Sequence, residues 1–389
     1  MKKLLSVFLI FMACISAMAA NTVKIKTLAA AADLQAVSES AYLVDYNSGT
    51  VIYSKNETER LPIASMCKIM TLLLTFEAID NGELSLSDTI TVSAEAAGMG
   101  GSQIFLDADK PYEVRELVKG VVVASANDAS VALAEQISGS EDLFVSEMNE
   151  KCRELGMADT HFSNCTGLPK AEQYSCAKDV SAMFSALLKH KGYFEFSRIW
   201  MDEIRHDGGR ITEISNTNKL IRFYDGCDGG KTGYTAEAGH CLAASAQRKG
   251  MRLVAVVIKA PDSKSRFGDV SKMFNYGFAN FENKLIVDCE KPLEIPVRVE
   301  GGKQDCVRAV PAESYYGFCA KNEKLALEID FLPFESVKAP VKKGDKIGAL
   351  TISKDGAIVK EIDVLADENV EKQTYFDIVK NIIENWSLF

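Results

Sequence analysis

Histidine and positive charge are both in short supply in this chain. Only His161, His190, His206 and His240 occur, and no His-Glu-x-x-His or Cys-x-x-Cys accompanies them, so a metal would need ligands that no spacing announces. With 44 Lys and Arg against 54 Asp and Glu, the net charge of -10 argues against nucleic acid as a partner. The ten cysteines follow no regular framework. Setting Cys14 aside leaves nine, an odd number, so at least one thiol is expected unpaired. The apolar run Leu4 to Ile15 is too short for a comfortable membrane span.

That run follows Lys2 and Lys3 and precedes the small residues Ala17-Met18-Ala19-Ala20, so residues 1–20 read as a cleaved secretory signal and the protein as exported. Cys14 after Phe11-Met12-Ala13 offers a lipoprotein site as the alternative. With 389 residues, 47% of them apolar, the chain can bury a full core and still supply a second module.

Three short segments carry the chemistry: Ser65-Met66-Cys67-Lys68, Ser125-Ala126-Asn127 and Lys231-Thr232-Gly233. Between Ser65 and Asp80 there is no Gly or Pro, and Ile69, Met70, Leu72, Leu73, Leu74, Phe76 and Ile79 predict a mostly buried helix entered after Pro62. Ser65 and Lys68 then share one face, with β-carbons about 5 to 6 Å apart. A serine beside a base is an activatable nucleophile. Free lysine, with a pKa of about 10.4, is protonated at neutral pH, so Lys68 must be desolvated or stand near another cation, for which Lys231 is the candidate. Unpaired amides at the helix start favour negative charge developing at Ser65. Each segment alone has an ordinary explanation as a helix cap or strand end; their joint order is the signal.

With the surrounding blocks, Leu61-Pro62-Ile63-Ala64-Ser65, Ala124-Ser125-Ala126-Asn127-Asp128-Ala129, Thr160-His161-Phe162-Ser163-Asn164 and Asp228-Gly229-Gly230-Lys231-Thr232-Gly233-Tyr234-Thr235, the chain resembles the serine-type D-Ala-D-Ala carboxypeptidases among the low-molecular-mass penicillin-binding proteins. The likeness spans roughly residues 35 to 270. It implies an α/β (α+β) fold, a β-lactamase/transpeptidase-like antiparallel sheet with flanking helices and a helical subdomain. It implies Ser65, Lys68 and Ser125 as catalytic residues, and Asn127, Lys231, Thr232, Gly233, Tyr234 and Arg266 as substrate-binding ones, with no cofactor. The implied partners are peptidoglycan stem peptides ending in D-Ala-D-Ala and β-lactam antibiotics. Two other readings stay open: a noncatalytic β-lactam or muropeptide sensor, and a DD-endopeptidase. A β-lactamase is disfavoured, because no Glu-x-x-x-Asn block stands between Asn127 and Lys231. Cys67, next to Lys68 on the helix, would face away from it and reads as packing or a side reactivity.

Hairpins are expected at Ala41–Ser54 and His240–Lys259, and helices at Tyr112–Val123 and Ala129–Ile137, with Ser125 and Asn127 in the break between them. After residue 290 the texture turns to alternation, at Leu293–Val299, Leu325–Ile329 and Ile347–Leu365. From Tyr375 to Phe389, Tyr375, Phe376, Ile378, Val379, Ile382, Ile383, Trp386 and Phe389 share one helical face. Lys380 is the only base on the other face, so this helix is expected to lie in a membrane interface with weak attraction to anionic lipid. The expected organisation is a signal at 1–20, a catalytic domain at 24–285, a small all-β domain at 290–367 and an amphipathic anchor helix at 370–389. It places the enzyme peripherally on the outer face of a bacterial cytoplasmic membrane.

Overall fold

The computed structural model describes residues 34–323 and 325–379, so the signal segment and residues 380–389 of the expected anchor helix lie outside the described residues. The chain forms two compact units, residues 34–247 with 252–274, and residues 248–251 with 275–379.

Along the first unit run β1 (Ser40–Asp45), β2 (Val51–Lys55), a 3₁₀ turn at Ala64–Cys67, α1 (Lys68–Asp80), β3 (Thr89–Thr91), α2 (Ala94–Ala97), β4 (Pro111–Glu113) and α3 (Val114–Lys119). A π-helical turn at Gly120–Ala124 leads to α4 (Asn127–Ser138), α5 (Glu141–Glu154), α6 (Ala177–Leu187), α7 (Tyr193–Ser197), β5 (Met201–Arg205), β6 (Ile211–Ser215) and α8 (Leu220–Phe223). Then come β7 (Cys227–Thr235), β8 (Gly239–Arg248), β9 (Met251–Ala260) and α9 (Ser263–Asn280).

Both expected hairpins join one antiparallel sheet of order β2-β1-β9-β8-β7. In β9, Leu253 to Ile258 are buried without interruption, the pattern of a central strand covered on both faces. β7 is an edge strand of this sheet, so one row of its backbone groups is left unpaired by strands. Lys249 (φ +48°) and Gly250 (φ +79°) close the β8-β9 turn, as a two-residue hairpin requires.

α1 is apolar nearly all round and is the buried axis of the unit. Its Ile69, Met70, Leu72, Leu73 and Phe76 share a core with Val254, Val256 and Ile258 of β9 and with α4 and α6. The helix starts one step later than its apolar pattern suggests, because Ser65 stands in the tighter 3₁₀ turn ahead of it. The expected helix at Tyr112–Val123 breaks into a short strand, α3 and the π-helical turn, and Asn127 is the first residue of α4 rather than part of the break.

Past the end of α9 the second unit is built mainly of strands. β10 (Phe281–Val287) pairs with β14 (Tyr315–Ala320). β11 (Val297–Glu300) lies between β12 (Cys306–Val307) and β16 (Val337–Lys338). A four-stranded sheet orders β13 (Ala309–Pro311), β18 (Ala357–Ala366), β17 (Lys346–Lys354) and β15 (Glu328–Pro333). The β17-β18 hairpin turns at Asp355 (φ +53°) and Gly356 (φ +76°), where the sequence places it. Two expected strands are displaced. Only Val297–Val299 of the first falls in a paired strand, β11, and the strand near Leu325 begins at Glu328, since alternation marks a two-faced surface without fixing which stretch finds a partner. At the end of the unit Thr374 caps a helical turn reciprocally with Asp377: Asp377 N donates to Thr374 Oγ1 at 3.3 Å and Thr374 N to Asp377 Oδ2 at 2.8 Å.

Candidate active site

Ser65 stands on a turn with an unusual backbone. Ala64, just before it, has φ +47°, a left-handed conformation that costs a residue with a β-carbon roughly 1–3 kcal/mol and persists only where the surroundings impose it. Two glycines impose it by touching the turn directly. A β-carbon on Gly167 would stand 2.1 Å from Ala64 O, and one on Gly233 would stand 2.5 Å from Ile63 O. No other residue lets the 164–168 loop and β7 close on the serine from both sides. Met66 and Cys67 point into the core, which leaves Ser65 half-buried at the surface of the turn.

Lys68 opens α1 and is completely buried, with its Nζ 3.2 Å from Ser65 Oγ and donating to Thr166 O. Burial pushes this amine down to about 8. Of the two causes the sequence left open, desolvation is the one that acts on Lys68. The repulsion between the two buried lysines shows instead on Lys231, held well below the usual lysine range first by burial and then by the charges of Lys68 and Arg266. Cys67, by contrast, is buried, its thiol donates to Asn164 O at 3.2 Å, and burial pushes it up to about 12, so it is a packing residue.

Ser125 follows the π-helical turn at φ +63°, a second left-handed residue, and its Oγ accepts from Lys231 Nζ at 2.7 Å. π-turns of this kind re-aim a side chain without ending the helix pair, here α3 and α4. Asn127, buried at the start of α4, donates through Nδ2 to Gly100 O at 2.6 Å, and its backbone N–H bonds Ser102 O at 2.7 Å. Its Oδ1 is buried without a partner, an open acceptor in the pocket wall. Next to it, the fully buried Asp128 carboxylate accepts from Ile104 N and Leu106 N and so ties down the loop that carries Gly100 and Ser102.

On the sheet side, Lys231 and Thr232 are buried on β7, and Lys231 Nζ also donates to Thr232 O at 3.1 Å. Tyr234 is 60% exposed, with its ring stacked on His240 at 4.4 Å between centroids. Arg266, buried on α9, donates through Nη1 to Gly233 O at 3.2 Å and Cys241 O at 3.4 Å, while its Nε is buried without a partner. The structure thus brings Ser65, Lys68, Ser125 and Lys231 into two hydrogen-bonded pairs and sets Gly233 against the nucleophile turn. Sequence reasoning passed over Thr166, the Gly100 to Ser102 loop and the role of Asp128. The only signal for them was that Thr166-Gly167 and Asp128 sit beside the motif residues.

None of the nine described cysteines forms a disulfide. Chemically, the site offers a hydroxyl beside an amine whose pKa burial lowers to about 8, a second hydroxyl beside a second buried amine, and an open strand edge at β7.

Comparison with known proteins gives the family of the chain. A family model described as D-alanyl-D-alanine carboxypeptidase matches residues 26–262, and one described as penicillin-binding protein 5, C-terminal domain, matches residues 281–372. The chain is 40% identical over 353 residues to D-alanyl-D-alanine carboxypeptidase DacF of Bacillus subtilis, covering 90% of each chain. It is 30% identical over 399 residues to D-alanyl-D-alanine carboxypeptidase DacA of Escherichia coli, covering 99% of this chain and 97% of the relative. Among solved structures it is similar to penicillin binding protein 5 from Haemophilus influenzae, with a TM-score of 0.66 and 29% identity over 87% of this chain and 98% of that one. The peptidoglycan synthesis regulatory factor (PBP3) of Streptococcus pneumoniae gives a TM-score of 0.73 at 28% identity over 86% and 99%.

Proposed function

The chain belongs to the D-alanyl-D-alanine carboxypeptidase family, and we propose that it removes the terminal D-alanine of peptidoglycan stem peptides through an acyl-enzyme on Ser65. The observation that carries this reading is the pairing of two buried amines with two hydroxyls, Lys68 with Ser65 at 3.2 Å and Lys231 with Ser125 at 2.7 Å.

The substrate lies along the open edge of β7 with its C-terminal carboxylate at Lys231 and Thr232 and near Arg266. A carboxylate there restores the charge on Lys231 that burial suppresses. Asn127 Oδ1 accepts a substrate N–H. Ser65 Oγ attacks the carbonyl carbon between the two D-alanines while neutral Lys68 takes its proton. The oxyanion is held by the backbone N–H groups of Ser65 and Tyr234, each such donor being worth about 2.7–4 kcal/mol. Ser125 passes its proton to the leaving nitrogen and takes in its place the proton that Lys68 holds, so Lys68 is neutral again; the C–N bond breaks, D-alanine departs and the Ser65 ester remains. Water then adds to the ester, Lys68 takes its proton, and Ser65 recovers its hydrogen. A β-lactam acylates Ser65 in the same way and leaves slowly.

Export and membrane attachment belong to the same proposal. Lys2, Lys3 and the apolar run to Ile15 support secretion. The apolar face of the C-terminal segment supports interfacial attachment, as do Tyr375 and Phe376, 77% and 83% exposed at its capped start.

Because the base is the neutral form of Lys68, kcat/KM for D-alanine release from a diacyl-D-Ala-D-Ala tripeptide should rise with pH and level off above about 8. Stopped D-alanine assays from pH 5.5 to 9.5 check this. A profile flat below pH 8 would remove Lys68 from the role of base.

A further inference from the structure

One completely buried carboxylate beside the site takes no part in the steps above. Asp128, the second residue of α4, accepts from Ile104 N at 3.2 Å on both oxygens, from Leu106 N at 3.1 Å on Oδ2 and from Ala129 N at 2.9 Å on Oδ1. Among the described residues its partners are all backbone amides, and no cation pairs with it. A carboxylate kept from water without a cation is costly unless fixed donors replace the solvent, and three amides and the start of α4 do so. We propose that Asp128 is a positioning residue for the carboxypeptidase reaction: by holding Ile104 and Leu106 it fixes residues 100–102 against Asn127 and keeps Asn127 Oδ1 as the open acceptor for the substrate N–H. The inference rests on the carboxypeptidase reading and deepens it by naming what orients one wall of its site.

The loop needs such a grip. Phe105, between the two residues that Asp128 holds, has φ +61°, a left-handed conformation that a bulky residue keeps only where its surroundings impose it. Its ring is 56% exposed, so burial of the side chain does not impose it. On the solvent side Arg210 Nη2 donates to Phe105 O and to Asp107 Oδ2, both at 2.7 Å, but this guanidinium is itself exposed and its attraction is screened. The buried grip is Asp128, and it takes both neighbours of the strained residue.

From there the constraint reaches Asn127 through three consecutive residues. Ser102 O holds its backbone N–H, and Gly100 O holds Nδ2 at 2.6 Å. Gly101 passes between them so closely that a β-carbon there would stand 2.8 Å from Asn127 Nδ2. With Nδ2 tied to Gly100 O, the other end of the amide, Oδ1, is the one left open. The last torsion of an asparagine is broad and roughly two-fold, so an amide released from Gly100 O can turn and put a donor where the acceptor stood. Replacing Asp128 by asparagine sets an NH₂ donor against the amides of the loop, which leaves at least one of them without a partner.

The test is a double-mutant cycle. D-Alanine release from a diacyl-D-Ala-D-Ala tripeptide is measured for the wild type, Asp128→Asn, Asn127→Ala and the double variant, with rates expressed per site labelled by a β-lactam so that unfolded protein does not count. The assay is run at pH 9.5, above the titration of Lys68, because Asp128 is, with Cys67 and Cys165, one of the groups that act to raise that amine. Each single variant should lose on the order of 10- to 100-fold in kcat/KM, divided between kcat and KM in the same proportion. The double variant should lose no more than Asn127→Ala alone, to within about twofold. Gly101→Ala reaches the same amide without touching Asp128, so it should lower activity in the wild type and have no effect beside Asn127→Ala. Asp128→Ser, which keeps one acceptor, takes the place of Asp128→Asn if that variant does not fold. An Asp128 variant with wild-type kcat/KM, or one whose loss is the same factor with and without Asn127, would overturn the positioning role and leave the carboxypeptidase reading intact. Absence of D-alanine release by the wild type would instead overturn both.

Discussion

Lys68→Met should lower kcat/KM for D-alanine release by on the order of 10⁴-fold or more, as loss of one member of a nucleophile-base unit does in other serine acyl-transfer enzymes. Methionine nearly matches the lysine stem in length and apolar character, so the buried slot behind Ser65 stays filled. Lys68→Arg should fail as badly. Arginine keeps the charge but does not give up its proton, so the pair of variants separates a base from a mere cation.

Stability should move the other way for Lys68→Met. The Lys68 amine titrates near 8 in the folded protein, below its ordinary value, so between these two pH values the unfolded chain binds more protons than the folded one. The cost of burying this lysine is therefore fully present below pH 8 and fades as pH rises toward the ordinary value. Removing the amine should stabilise the protein at pH 7 by up to roughly 3 kcal/mol, less about 1 kcal/mol for the lost bond to Thr166 O. Thermal unfolding at pH 7 and pH 10 reads this directly, with the gain over wild type shrinking at the higher pH. A Lys68→Met protein that keeps its activity, or one that is less stable than wild type at pH 7, would contradict the assignment.

Gly167→Ala is the second large effect. The added β-carbon would sit 2.1 Å from Ala64 O and 2.9 Å from Ser65 N, both backbone atoms that cannot rotate away, and the residue must also hold φ +79°. Overpacking together with a left-handed alanine should cost about 3 kcal/mol or more, a fall in Tm of roughly 10 °C for a unit of this size. The part that survives folding should have Ser65 displaced, so kcat should fall more than KM changes. Gly82→Ala is a suitable control. Gly82 also has positive φ, but nothing stands within 4 Å of a β-carbon there, so its substitution should cost only backbone strain and leave kcat unchanged. Equal losses of activity in the two variants would show that the contact at Ala64 is not what holds the nucleophile.

Much of the site was legible because its chemistry is local in sequence. A serine three residues ahead of a lysine at the head of an apolar segment, and a Gly-flanked Lys-Thr on a strand, predict their own local structure, although the Lys-Thr pair lies within β7 and not at its end. The sheet was legible for the same reason, since both hairpins announce themselves by turn residues between short apolar runs. What stayed hidden depends on contacts between distant segments. The left-handed backbones of Ala64 and Ser125 oppose the preference of both residues and exist only because Gly167, Gly233 and the π-helical turn impose them. Thr166 O lies 98 residues from Lys68 in sequence, and no spacing could have named it as the amine's second partner. Asp128 reads as an ordinary helix-start acid until its carboxylate is seen to gather the amides of Ile104 and Leu106. In the second unit the alternating pattern gave the class of structure but misplaced two strands, because edge residues such as Ile329 and Leu332 are exposed and carry little burial signal.

The most direct measurement is peptide mapping by mass spectrometry of protein quenched during reaction with a β-lactam or a slow D-Ala-D-Ala ester analogue, alongside the Ser65→Ala variant. The expected result is one acyl group per chain, on the peptide containing Ser65, with neither adduct nor D-alanine release in Ser65→Ala. An adduct on Cys67 or Ser125 instead, or D-alanine released by Ser65→Ala at the wild-type rate, would contradict the account.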